Sequence, residues 1–234
     1  MPANAVLFRA RETPSSLSDE IRDALLSFGL TARRHWLAKG SMLSLHGGAQ
    51  AGLHLLVHGR LKTLRFSAEG RVLILDVLDA GDVFGEMSIL DGGEGEPVYA
   101  EALENAEIET VPSIAFERVL RARPSLALSI AQLIGKRLSL LERRLQTHVF
   151  QRVPTRLAAL LLDLAERFGK PSDTGTVLEI ALNQQDLGNL IGASREIVSL
   201  TLSSFRRRGA VSMRGRRIVV NRERLLREAA TVES

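Results

Sequence analysis

Residues 183–205 read NQQDLGNLIGASREIVSLTLSSF, and their spacing decides the C-terminal fold. Asn183 can cap a helix that carries Leu187, Leu190 and Ile191 on one face. Gly188 is small where two helices must cross closely. Gly192 permits the tight turn between them. Ser194 then caps a second helix, Arg195 to Arg207, whose inward positions are Val198 and Leu202. A plain αα-hairpin in a helical core is the rival reading. Against it, Arg195, Glu196 and Ser199 are polar and lie outward at the start of the second helix, where a reading helix meets base edges.

Working outward, Phe205-Arg206-Arg207-Arg208-Gly209 ends that helix in a basic cluster. AVSMRGRRIVVN, 210–221, then reads as a hairpin turning at Arg214-Gly215-Arg216, which makes a basic wing. Arginines at Arg206, Arg207, Arg208, Arg214, Arg216 and Arg217 can reach phosphates beside the groove, where contacts raise affinity and carry little sequence information.

Charge follows the same division. Residues 151–234 hold 14 Lys and Arg against 9 Asp and Glu, while residues 1–150 hold 17 against 18. The basic excess therefore lies in the last third, as expected of a polyanion-binding module at one end of the chain.

Upstream of the helix-turn-helix, Thr155 to Phe168 reads as an amphipathic helix closed by Gly169, GKPSDTGT as a turn-rich connector, and VLEIAL as a short strand. Val153-Pro154-Thr155 breaks a longer helix that starts near Pro124. In that helix Ala127, Ala131, Ile134, Leu138, Leu141 and Leu145 recur at spacings of four and three, the seam of a coiled coil. Ile134, Leu138, Leu141 and Leu145 are the expected dimer contacts, and Arg137, Arg143 and Arg144 lie off the seam. The alternative is an ordinary core helix packed on the N-terminal half.

From Ala32 to Pro112 short apolar stretches (LHLLVHG, LKTLRF, VLILDVL, AEIETV) alternate with glycine-rich acidic turns, which predicts a β-sandwich or closed roll. Residues 15–29 predict a short helix, capped by Ser18 and stopped by Gly29, and Ser113 to Arg121 another. The fold class is thus α+β, with an N-terminal β-roll of jelly-roll type over residues 1–123, a dimerisation helix over 124–152 and a winged helix-turn-helix over 153–234.

Several function classes are excluded or disfavoured. With no cysteine, the chain has no disulfide, thiolate cluster or cysteine nucleophile. Met1 to Glu12 has no continuous apolar region, and Leu157 to Leu162 is far short of a membrane span, so no membrane association and a cytoplasmic location are expected. A metal-dependent β-barrel enzyme would need a ligand set. His54 and His58 lie four apart on one expected strand, sharing a face but too far apart to hold one ion, and no Ser-His-Asp grouping or phosphate loop is present. Neither enzymatic activity, nor a metal, nor a cofactor is expected.

The order of elements resembles the cyclic-AMP receptor and fumarate–nitrate-reduction regulator superfamily over residues 25 to 225. Two segments carry the resemblance: Gly81-Asp82-Val83-Phe84-Gly85-Glu86-Met87, similar to the start of that family's phosphate-binding cassette, and Gly192-Ala193-Ser194-Arg195-Glu196-Ile197-Val198, similar to the start of its recognition helix. The resemblance implies a homodimeric transcription regulator that binds a near-palindromic double-stranded DNA site and contacts RNA polymerase. By position it implies that Arg195 forks onto guanine, Glu196 accepts from cytosine and Ser199 tunes the site, with Gln185 and Ser194 positioning the backbone. The chain departs at Leu200, where many members have a second arginine. It also departs in the sensor. Where nucleotide-binding members place Arg-Ser or Arg-Thr, this chain has Glu96 and Pro97, and Leu141 and Glu142 replace the adenine contacts. An acid in place of the phosphate's arginine repels an anion, and proline offers no backbone donor. Gly85, Glu86, Met87, Glu96 and Pro97 therefore form a degenerate effector pocket, with Glu86 structural. Either the protein is competent without an effector, or it senses another small molecule or haem through histidine.

Overall fold

The computed structural model describes residues 15–46, 52–90 and 95–230, which divide into two compact units, the chain passing from one to the other between Gly135 and Lys136. Residues 91–94 of the acidic loop and the first residues of the chain lie outside the described segments.

The first unit opens with helix α1 (Ser15–Ser27), followed by strands β1 (Arg33–Leu37), β2 (Met42–Ser44), β3 (Gly52–His58), β4 (Leu61–Phe66), β5 (Val72–Leu78) and β6 (Val83–Phe84). A four-residue helix α2 (Met87–Leu90), strands β7 (Tyr99–Ala102) and β8 (Ala106–Pro112), and helix α3 (Ser113–Ala122) complete it, with the beginning of helix α4 (Pro124–Phe150). Two four-stranded antiparallel sheets, ordered β1-β8-β3-β6 and β2-β7-β4-β5, face each other. The expected roll is present.

Strand β3 shows why this sheet sits centrally. Its near-continuous apolar run is buried on both faces, as a strand with cover on each side requires. Leu53 and Leu55 join Val83 and Val111 against Ile21, Ala24 and Leu25 of α1, Phe116 and Val119 of α3, and Leu126, Ile130 and Leu133 of α4. Leu56 points the other way, into the intersheet core with Leu61, Leu78, Phe84, Ala102 and Ile108. Leu126, Ile130 and Leu133 thus anchor the first half of α4 in the β unit's core.

Two expectations need correction here. Ser18 is not a cap: α1 begins a turn earlier, and Ser18 falls on its buried face. Gly29, at φ +64°, does end the helix, with Leu30 N–H donating back to the Leu25 carbonyl. His54 and His58 do not share a face. A register shift between Leu56 and His58 turns His58 outward, whereas His54 is fully buried.

The second unit holds the rest of α4, then α5 (Val153–Phe168), β9 (Gly169–Ser172), β10 (Gly175–Leu178), α6 (Gln184–Ile191), α7 (Arg195–Arg207), β11 (Val211–Arg214), β12 (Arg217–Val220) and α8 (Arg222–Ala230). Pro154 lies in the first turn of α5, where its missing N–H costs nothing. The supposed connector after Gly169 is a hairpin: β9 and β10 pair from Gly169↔Leu178 to Ser172↔Gly175. Pro171 hid it, yet β9 is the edge of the sheet β11-β12-β10-β9, where proline is tolerated. Leu157, Leu160, Leu161 and Leu164 of α5 are buried within this unit, as are Leu187, Val198, Phe205 and Leu225.

Candidate nucleic-acid interface

The interface is built on the α6–α7 pair. Asn183 and Asp186 form a reciprocal capping box: Asp186 N–H donates to Asn183 Oδ1 and Asn183 N–H to Asp186 Oδ2, each at 3.0 Å. The N-x-x-D spacing announced this, although Asp186 was not singled out from the sequence. Gly192 ends α6 in the left-handed region, at φ +63°. Gly188 is obligatory for a related reason. A Cβ there would stand 2.5 Å from the Ala193 carbonyl oxygen, so the turn closes onto the helix before it.

Ser194 caps α7 by accepting from Ile197 N–H at 3.3 Å. Val198, Thr201, Leu202 and Phe205 are buried, which orients the rest of the helix. Arg195 and Glu196 are exposed at its N-terminal end, Ser199 is half-buried, and Leu200 is 71% exposed. The Glu196 carboxylate is held below the usual range by its own backbone N–H first, then by the Ser194 hydroxyl, with the Arg195 charge adding to both. It is ionised where it stands.

The wing forms as the sequence predicts. Met213↔Ile218 and Arg214↔Arg217 pair across β11 and β12, and Gly215 at φ +62° with Arg216 makes the turn. An open groove of about 590 Å³ runs between α6, α7 and this wing, bounded by Gln184, Gln185, Arg195, Met213 and Arg216. Gln185, expected at the backbone, also donates to Asn189 Oδ1 at 2.9 Å.

The expected phosphate contacts divide into two groups. Arg206, Arg207, Arg214 and Arg216 are exposed. Arg208 instead grips Glu228 of α8 with both carboxylate oxygens, at 2.7 and 2.9 Å, and reaches Ser204 Oγ at 3.0 Å. Its carbonyl accepts from Arg224. Arg208 therefore fastens the end of α7 to α8. Arg217 pairs with Glu179. Neither acid was foreseen, because ion pairs between residues 20 and 38 apart leave no local pattern.

Two further residues tie this unit together. Arg156 Nη1 donates to the carbonyls of His148 and Gln151, both at 3.1 Å, satisfying the end of α4. Burial lowers the pKa of its guanidinium. The His148 ring lies against Gly192 itself.

On α4, Leu138, Leu141 and Leu145 are 56%, 50% and 65% exposed on the single chain, and Ile134 is half-buried. Among the described residues Leu138, Leu141 and Leu145 stand exposed on this seam with Ala127 and Ala131, whereas Ile134 packs partly against the core of the first unit.

In the roll, Gly85 is at φ +83°, Glu86 is buried and Met87 exposed. Pro97 is exposed, and Glu96, also exposed, pairs with Arg65 at 3.4 Å. His54 fills the space beside Gly85. Its Nδ1 is 2.9 Å from Thr110 Oγ1, its ring stacks on Phe84 at 5.0 Å, and a Cβ on Gly85 would stand 2.6 Å from its Cδ2. Among the described residues no group of three or more His, Asp or Glu is placed to hold a metal ion, and no helix is long and apolar enough to cross a membrane.

Comparison with known proteins agrees with both halves. Residues 155–229 match the Crp-like helix-turn-helix domain, and residues 34–123 match the cyclic nucleotide-binding domain. The chain is 30% identical over 194 residues to the CRP-like cAMP-activated global transcriptional regulator of Mycobacterium tuberculosis, covering 82% of this chain and 85% of that one. It is 28% identical to the global nitrogen regulator of Synechococcus elongatus, covering 78% and 82%. Its fold is similar to that of the c-di-GMP responsive global regulator CLP of Xanthomonas campestris (TM-score 0.73, 22% identity, 85% and 98% covered). It is also similar to that of FixK2 of Bradyrhizobium japonicum (TM-score 0.72, 22% identity, 87% and 100% covered).

Proposed function

Because this chain belongs to the CRP/FNR family of transcription regulators, we propose that it binds a near-palindromic DNA site as a cytoplasmic homodimer and acts on transcription through RNA polymerase. The observation that carries the reading is the exposed N-terminal end of α7, with Arg195 and Glu196 beside a groove that the wing's Arg216 also lines. Arg195 reads guanine, Glu196 reads cytosine, and Ser199 adjusts the choice. Leu200, exposed beside them, offers a surface for a thymine methyl. Arg206, Arg207, Arg214 and Arg216 supply phosphate contacts, and Gln185 and Ser194 set the register.

Dimerisation would use the seam of Ile134, Leu138, Leu141 and Leu145, in which the three leucines are exposed. Two such stripes bury one another as a coiled coil and hold the two reading helices at half-sites about one helical turn, roughly 34 Å, apart. The β-roll would serve as a sensor domain, α4 as the dimerisation helix, and the remainder as the DNA-binding domain.

The protein does not use cyclic AMP in the usual pocket and binds DNA without an effector. Glu96 is an acid where a phosphate needs a cation, and it is already engaged with Arg65. The buried His54 ring packs against Gly85, filling space from within the chain. Selection from random duplexes, run with no ligand and with cyclic AMP or cyclic di-GMP, tests this. An enriched near-palindrome without any nucleotide is expected. Enrichment only after a nucleotide is added would overturn effector independence.

A further inference from the structure

The wing has two faces, and its cations are divided between them. Alternation along β11 and β12 sends Met213 and Ile218 to the side of the recognition helix, where Arg216 of the turn joins Arg195 and Gln185. Arg214 and Arg217, paired across the hairpin, belong to the other face. There they line a second groove, of about 440 Å³, together with Lys170, Pro171, Val177 and Glu179. Lys170 reaches it from the edge strand β9, opposite Val177 of β10. Lys170, Arg214 and Arg217 are exposed, and the half-buried Glu179 stands among them and pairs with Arg217.

We propose that this second groove is an acid-gated contact for the sugar–phosphate backbone of duplex flanking the recognised site. Lys170 and Arg214 take phosphates, and Glu179 holds Arg217 back from them. The inference rests on the placement of α7 and the wing on DNA proposed above. The two grooves share the wing, so a strand whose phosphates meet Arg216 on one side continues toward Arg214 on the other. Three cations around one acid leave a net positive groove on a face the recognition helix does not use. Backbone contacts are sequence-independent and act by counterion release, so an acid placed here lowers affinity for every sequence alike. An exposed ion pair is weak and exchanges readily, so Glu179 acts as a restraint and not as a staple. The contrast is Arg208, whose two-oxygen grip on Glu228 and bond to Ser204 serve the packing of α7 on α8.

Fluorescence anisotropy across a salt series, on two duplexes, tests the proposal. One duplex is limited to the selected site, and the other carries about ten more base pairs, one helical turn, on each side. Lys170→Gln is expected to leave the short duplex unaffected and to weaken the long one about three- to fivefold at low salt, one counterion's worth. Glu179→Gln is expected to tighten the long duplex by a similar factor and steepen its salt slope by about one. In both variants the preference for site over scrambled sequence stays as in the wild type. If both variants match the wild type on the long duplex, or change the two duplexes equally, the second groove is not a flanking contact. Arg195→Ala separates this failure from that of the underlying reading. If the wild type shows no site preference for Arg195→Ala to relax, the placement of α7 fails and the groove proposal goes with it.

Discussion

His148, near the end of α4, lies against Gly192, the turn residue of the helix-turn-helix: a Cβ on Gly192 would be 2.8 Å from His148 Cε1 and 3.2 Å from Nδ1. The helix that carries the apolar seam therefore touches the turn that sets the angle of the recognition helix. Gly192 is constrained twice, by its φ of +63° and by this imidazole.

Gly192→Ala should therefore destabilise the C-terminal unit by about 1–3 kcal/mol, the usual cost of a side chain held in the left-handed region with a neighbour in the way. His148→Ala alone should change little, since His148 is exposed. The double variant should recover the steric part and leave the backbone part. Thermal melts of the three proteins measure this. Equal melting of Gly192→Ala and the double variant would remove the contact from the account.

The recognition helix and the wing should fail in different ways. Arg195→Ala and Glu196→Ala should each relax preference at one base-pair step, costing about 1–3 kcal/mol of discrimination. Arg216→Ala should weaken all sequences alike and reduce the salt slope by about one. Binding measured on the selected site and on its single-base variants, across a salt series, separates the two classes. An Arg195→Ala protein with an unchanged preference would contradict the base-reading role.

The pH dependence of the base preference follows from Glu196. Its folded-state pKa lies below the usual carboxylate value, so the charged form persists as pH falls and is lost only on passing below the ordinary range. The preference it confers should stay constant from pH 7 to about 5, where an ordinary glutamate is still mostly ionised. Glu196→Gln should lack that preference at every pH. A wild-type preference that fades between pH 7 and 6 would place a different group, such as a histidine, at the contact.

The parts of this structure legible in the sequence were those governed by local rules. Asn183, Gly192 and Ser194 each act within a few residues of themselves, and all three stand where expected. The seam from Ile134 to Leu145 was visible because helical periodicity survives in any context. Features set by distant partners were not legible. Glu179 and Glu228 reach Arg217 and Arg208 from other elements, and nothing near them in the chain marks the pairing. GKPSDTGT reads as a connector because it is rich in turn residues, and Pro171 fits a strand only at a sheet edge, which nothing local marks. His54 was misplaced relative to His58 because a one-residue bulge in β3 inverts the alternation beyond it. The buried positions Val198 and Leu202 leave Arg195 and Glu196 exposed and Ser199 half-buried at the start of α7, where the proposed base-reading roles place them.

The most direct measurement is the stoichiometry of the complex by analytical ultracentrifugation, with a labelled duplex carrying the selected site and no nucleotide added. Two chains per duplex are expected for the wild type, and Leu141→Glu, which puts a charge on the seam, should reduce both the free dimer and the two-chain complex. A wild-type protein that sediments as a single chain and binds no duplex at low ionic strength would contradict the account.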